Sequence, residues 1–202
     1  MKVLKLFFFL IVFLALSVRP ILAIVDPLSV ANNRFGIHVL EVDDLKPAAN
    51  LVNSQGGDWG YVTLIIRQND RDQEKWQAIF DSLRRLHLIP IVRLATESEN
   101  DYWVSPKSED VSSWVEFLNS LNWVVKNRYV VLFNEPNHAK EWGNNLNPQA
   151  YTSIVRQFHQ QLKTTSSDFF ILPVSTTSLN AYSLGMTRTA PQNPVPCSVV
   201  FM

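Results

Sequence analysis

Between residues 34 and 176 the chain repeats one unit: a short, almost unbroken apolar run, then an amphipathic stretch. The apolar runs cover residues 34–40, 59–66, 89–96, 128–133 and 169–176. Asp44 is a plausible N-cap for a helix that Gly56 and Gly57 stop. Residues 72–88 place Trp76, Ile79, Phe80, Leu83 and His87 on one helical face. A helix over 111–123 carries Trp114, Phe117, Leu118 and Leu121. Asn147 caps a longer helix, with Pro148 at its first position and a stripe of Tyr151, Ile154, Val155, Phe158 and Leu162. Strand–helix alternation of this kind implies parallel strands joined by right-handed crossovers. Strands that are apolar throughout imply a sheet covered on both faces. A doubly wound sheet and a barrel both fit. No Gly-x-Gly-x-x-Gly follows the first run, so the dinucleotide-binding form of the former loses support.

The two ends do not share this pattern. Lys2 and Lys5 precede an apolar run from Leu6 to Leu16, too short for the ~20 residues that span a bilayer. Residues 1–23 therefore read as a signal peptide, and the alternative is an uncleaved anchor, because apolarity resumes from Ile21 to Val25. Either reading makes the rest secreted or extracytoplasmic. Cys197 is the only cysteine, so no intrachain disulfide can form and stability must come from packing. Residues 179–202 hold Pro191, Pro194 and Pro196 and no helical stripe, and read as an irregular or disordered tail. One domain over 24–178 remains. The 18 basic and 18 acidic side chains balance, which argues against a nucleic-acid partner.

The chemistry concentrates at Asn134-Glu135-Pro136, where the fourth apolar run ends. A carboxylic acid at the C-terminal tip of a parallel strand occupies the position at which (β/α)8 enzymes keep their active sites. Set in an apolar surround, such an acid would have a raised pKa and act as a general acid. The amide of Asn134 adds a hydrogen-bonding group without a second charge. An ordinary Asn/Pro turn at a strand end is the simpler alternative.

The succession Phe35-Gly36-Ile37-His38, Trp59-Gly60-Tyr61-Val62, Ile89-Pro90-Ile91-Val92-Arg93-Leu94 and Val131-Leu132-Phe133-Asn134-Glu135-Pro136 resembles the N-terminal half of a clan A glycoside hydrolase. That clan comprises retaining (β/α)8 glycosidases of the cellulase-like family 5 and xylosidase-like family 39 types. The resemblance covers about residues 34–177. It implies an α/β fold of TIM (β/α)8-barrel type with only the first four to five units present, against eight in roughly 250 residues for a full barrel. It implies hydrolysis of O-glycosidic bonds in a β-linked saccharide, with Glu135 as acid/base and Asn134 on the sugar 2-hydroxyl. The clan's nucleophile, a glutamate on the seventh strand, matches no position here. A non-catalytic carbohydrate-binding or assembly module is the alternative.

For substrate binding, Arg93 and Arg67 at strand tips, His38 in the first strand, Trp103 with Tyr102 in the third loop, and Asn137, His138 and Trp142 after the fourth strand are expected to line the cleft. Each has a structural alternative: an arginine paired within the sheet, a hydrogen-bonded core histidine, a loop aromatic folded onto the core. Glu41, Asp43, Asp70 and Glu97 are further acids near strand tips. The four histidines lack metal-ligand spacing, so neither metal nor other cofactor is expected. The expected partner is a carbohydrate, with no nucleic acid and no membrane beyond the possible anchor. The sequence leaves oligomeric state open.

Overall fold

Each apolar run forms a strand and each amphipathic stretch a helix in the computed structural model, which describes residues 34–173. The strands are β1 (Gly36–His38), β2 (Gly60–Arg67), β3 (Leu88–Ala95), β4 (Ser98–Glu99), β5 (Tyr102–Trp103), β6 (Arg128–Leu132) and β7 (Phe169–Pro173). The helices are α1 (Leu45–Val52), α2 (Gln73–Arg85), α3 (Val111–Ser120) and α4 (Pro148–Thr165). Five strands form a parallel sheet in the order β1-β2-β3-β6-β7, and β4 and β5 pair separately as an antiparallel ribbon. The sheet order never reverses, so the described residues have no switch point of the doubly wound kind. The expected signal peptide, Cys197, the tail and residues 174–176 of the last run lie outside the described residues.

The described residues divide between two compact units. In the first, α2 buries Trp76, Ile79, Phe80 and Leu83 as its periodicity requires. Phe80 meets Trp123 edge-on at 5.2 Å. The Arg84 guanidinium donates to the carbonyls of Asn122 and Trp123, at 3.1 and 2.9 Å. Asn53 joins three segments: its Oδ1 accepts from the Gly60 amide at 2.7 Å, and its Nδ2 donates to the carbonyls of Leu86 and His87. Gly60 is required at this junction. A Cβ there would overlap the Val52 side chain, 2.8 Å from its Cβ. Gly60→Ala is therefore expected to cost about 1–3 kcal/mol, seen as a lower urea midpoint at unchanged slope.

Several sequence expectations need correction in this unit. The first strand was expected to be short and buried, but Gly36 and His38 are exposed and Phe35 and Leu40 are 70% and 79% exposed. As an end strand, β1 is hydrogen-bonded only to β2 among the described strands, with Gly36 opposite Tyr61 and His38 opposite Thr63. Asp44 makes no side-chain cap; a 3-10 turn over Val42–Asp44 leads into α1 instead. Helix α1 ends at Val52, before the two glycines. Helix α2 stops at Arg85, so His87 is not on its apolar stripe. His87 turns left-handed at φ 53°, stacks on Trp59 with centroids 4.5 Å apart, and bonds Asp58 Oδ1 through Nδ1 at 2.8 Å. Pro90 is the third residue of β3, the middle strand, where its missing N–H forgoes a ladder bond.

In the second unit α3 and α4 pack against each other. Trp114, Phe117 and Leu118 are buried on α3; Tyr151, Ile154, Val155, Phe158 and Leu162 are buried on α4. Gln157 Nε2 donates to Ser108 Oγ at 2.9 Å, and Ser112 Oγ to Gln161 Oε1 at 3.2 Å. Asn147 caps α4 as expected, its Oδ1 accepting from the Ala150 amide at 2.9 Å. The polar loop over 97–110 contains the β4–β5 ribbon. Asn100 and Asp101 have φ of 44° and 68°, the positive pair that a tight two-residue hairpin turn demands.

Candidate functional site

The second unit brings Arg93 near the end of β3 and Asn134 just past β6 to one cavity. Along β3, side chains alternate: Leu88, Pro90, Val92 and Leu94 are buried, while Ile91, Arg93 and Ala95 on the other face are half-buried. Arg93 thus stands on the more open face, two residues from the strand's end. Strand β6 ends at Leu132, and Phe133 then adopts φ 67°. A bulky residue in this region is a true outlier, costing about 1–3 kcal/mol and persisting only where its surroundings hold it. The surroundings here are aromatic. Phe133 is 3% exposed and meets Trp142 at 6.3 Å and Phe158 at 5.8 Å, both edge-on; Trp142 in turn packs on Tyr151 at 5.5 Å. Beyond this bend, Asn134 Oδ1 accepts a hydrogen bond from Arg93 Nη1 at 2.9 Å.

The cavity, of about 240 Å³, is lined by Arg93, Thr96, Trp103, Phe133, Asn134 and Glu141, with Ala95 and Pro106 completing the wall. Burial pushes the Arg93 guanidinium below the ordinary arginine value; the charges of Glu141 and then Glu135 oppose that shift. Arg93 Nε is buried with no acceptor among the described residues, and Asn134 is the one hydrogen-bond partner found for the side chain. The β4–β5 ribbon supplies the Trp103 wall. The Trp103 carbonyl accepts from the Gly143 amide at 2.7 Å, which fastens the ribbon to the loop that carries Glu141. Gly143 has φ +59°, and a Cβ there would lie 2.6 Å from Ser105 Oγ, so this close approach needs glycine.

The expected site residues fall into three groups. Arg93, Asn134 and Trp103 come together in the cavity wall. Arg67 is exposed, with its guanidinium carbon 5.8 Å from the Trp103 ring centroid, and does not line the cavity. Glu135, Asn137 and His138 are exposed and do not line the cavity. The apolar surround expected for Glu135 is thus not supplied by the described residues. Its carbonyl accepts from the His138 amide at 2.8 Å, and the His138 carbonyl from the Glu141 amide at 2.9 Å. Trp142, expected in the wall, is 2% exposed and belongs to the core, because it holds the Phe133 bend. His38 lies in the other unit, on β1.

Sequence reasoning missed Ala95, Thr96, Pro106, Phe133 and Glu141 in the wall, and Glu141 is the charged one among them. It sits six residues past Glu135, and two successive four-residue turns, 135–138 and 138–141, lead the chain to it. No motif marks that spacing. Of the other acids considered, Glu97 lines a second cavity of about 230 Å³ together with Glu99, Lys107 and Asp110. Among the described residues no group of three His, Cys, Asp or Glu could hold a metal ion. None of their helices is long and apolar enough to cross a membrane. The chain matches no protein-family model, no curated protein and no solved structure.

Proposed function

We propose that this exported chain is glycoside hydrolase-like, its sheet a run of consecutive strands of an incomplete (β/α)8 barrel and its cavity the seat of a β-linked saccharide. The observation that carries the reading is the Arg93–Asn134 hydrogen bond. It joins the C-terminal ends of β3 and β6 beside Glu135, next to a cavity walled by Trp103. Flat rings suit the C–H faces of sugars, and planar amide and guanidinium groups suit their hydroxyls. In the retaining mechanism a carboxylate attacks the anomeric carbon as the acid protonates the departing oxygen. Water, deprotonated by the same acid/base, then displaces the enzyme carboxylate. Glu135 takes the acid/base role and Asn134 holds the 2-hydroxyl. The attacking carboxylate, needed at ~5–5.5 Å from the acid, is assigned to none of the described residues.

The exposure of Glu135 outside the cavity wall favours a second reading, a module that binds carbohydrate without cleaving it. One experiment separates the two. The purified chain is offered a panel of 4-nitrophenyl β-glycosides and β-linked oligosaccharides, with binding and product release both followed. Release with retained anomeric configuration supports the hydrolase. Saturable binding without release supports the module. The absence of both removes the saccharide reading.

A further inference from the structure

We infer that Glu141 sets the charge of the ligand at this cavity: with Arg93 it selects a neutral sugar ring and turns away the same ring carrying a carboxylate, a uronate. The inference rests on the saccharide reading above and goes beyond it by naming the class of sugar.

An arginine alone at this place would invite an anion. Its guanidinium pairs with carboxylates in a two-bond fork, and its only hydrogen-bond partner found here is a neutral amide. Glu141 changes that. It lines the same cavity, is half-buried, and is the nearer in effect of the two carboxylates whose charge Arg93 feels. No hydrogen bond or ion pair joins Glu141 to Arg93 among the described residues. Both therefore keep atoms for a ligand. Arg67, 5.8 Å from the Trp103 ring centroid, and Glu135, next to Asn134 in the chain, add one charge of each sign near the wall.

A neutral sugar satisfies both wall charges. One hydroxyl accepts from the Arg93 guanidinium and its neighbour donates to the Glu141 carboxylate, each as a charge-assisted hydrogen bond. Trp103 covers the ring's C–H face. A uronate placed on Arg93 brings a second carboxylate close to Glu141 in a half-buried site, where repulsion is screened less than in water.

The test uses matched ligands that differ only at carbon six: 4-nitrophenyl β-glucoside against β-glucuronide, and β-galactoside against β-galacturonide. Each is titrated calorimetrically into the parent chain and into Glu141→Gln at neutral pH and low salt. The parent is expected to bind the neutral member about tenfold more tightly. Glu141→Gln, equal in shape and melting like the parent, is expected to shrink the preference to about twofold or less, chiefly by tighter uronate binding. Equal affinities in the parent, or an unchanged preference in the variant, would overturn the inference and leave the saccharide reading standing. No binding to these ligands or to the oligosaccharide panel would overturn both.

Discussion

Phe158→Ala is expected to lower stability by about 3–5 kcal/mol and to weaken ligand binding at a cavity it does not line. The first effect follows from burial: Phe158 is 1% exposed in α4, and removing its ring leaves a void that close-packed neighbours only partly fill. The second follows from the bend at Phe133. That residue holds φ 67° against a local penalty, with the Phe158 ring 5.8 Å and the Trp142 ring 6.3 Å from its own. Without one support the bend relaxes, and Asn134, next in the chain, loses its fixed approach to Arg93. Phe80→Ala is the control, because Phe80 is 0% exposed and packs on Trp123 in the other unit. Both variants should lose comparable stability by urea unfolding. Only Phe158→Ala should lose affinity when binding is measured on fully folded protein. Equal affinities in the two variants would break the proposed link between the aromatic cluster and the site.

On the hydrolase reading, Glu135→Ala is expected to slow turnover of glycosides with poor leaving groups by about 10²–10⁴-fold, the usual contribution of a positioned proton donor. Substrates with good leaving groups, such as dinitrophenyl glycosides, need less protonation on departure. For these, the glycosyl-enzyme step survives and its hydrolysis becomes limiting, so added azide should restore part of the rate as a small nucleophile. Because Glu135 is exposed, its removal should change stability by less than about 0.5 kcal/mol, and the loss reads on chemistry alone. Identical rates in parent and variant would take Glu135 out of the mechanism.

The sequence carried the architecture well because burial is periodic. The stripes Trp76, Ile79, Phe80 and Leu83 on α2 and Tyr151 to Leu162 on α4 are each buried as their spacing requires. Periodicity does not see where a helix stops, which is why His87 was placed on a stripe it leaves by a left-handed turn. An apolar composition does not say whether a strand lies inside or at the end of a sheet, and β1 is exposed for that reason. In the cavity, Arg93 and Asn134 were legible because parallel strands deliver their tips to one place. Trp142 was not, since an aromatic after a strand tip serves equally as wall or as core. Glu141 depends on two consecutive turns and the Gly143 contact, which leave no pattern of residue types. The Asn100-Asp101 hairpin turn had a readable signal, but flanking strands of two residues are too short to show alternation.

The placement of the tryptophans has a practical consequence. Trp59, Trp76, Trp114, Trp123 and Trp142 are each 1–5% exposed, whereas Trp103 is half-buried in the cavity wall. A water-borne quencher such as iodide or acrylamide therefore reaches one indole before the other five. The fluorescence of that indole makes the protein its own optical gauge of occupancy, with no dye attached.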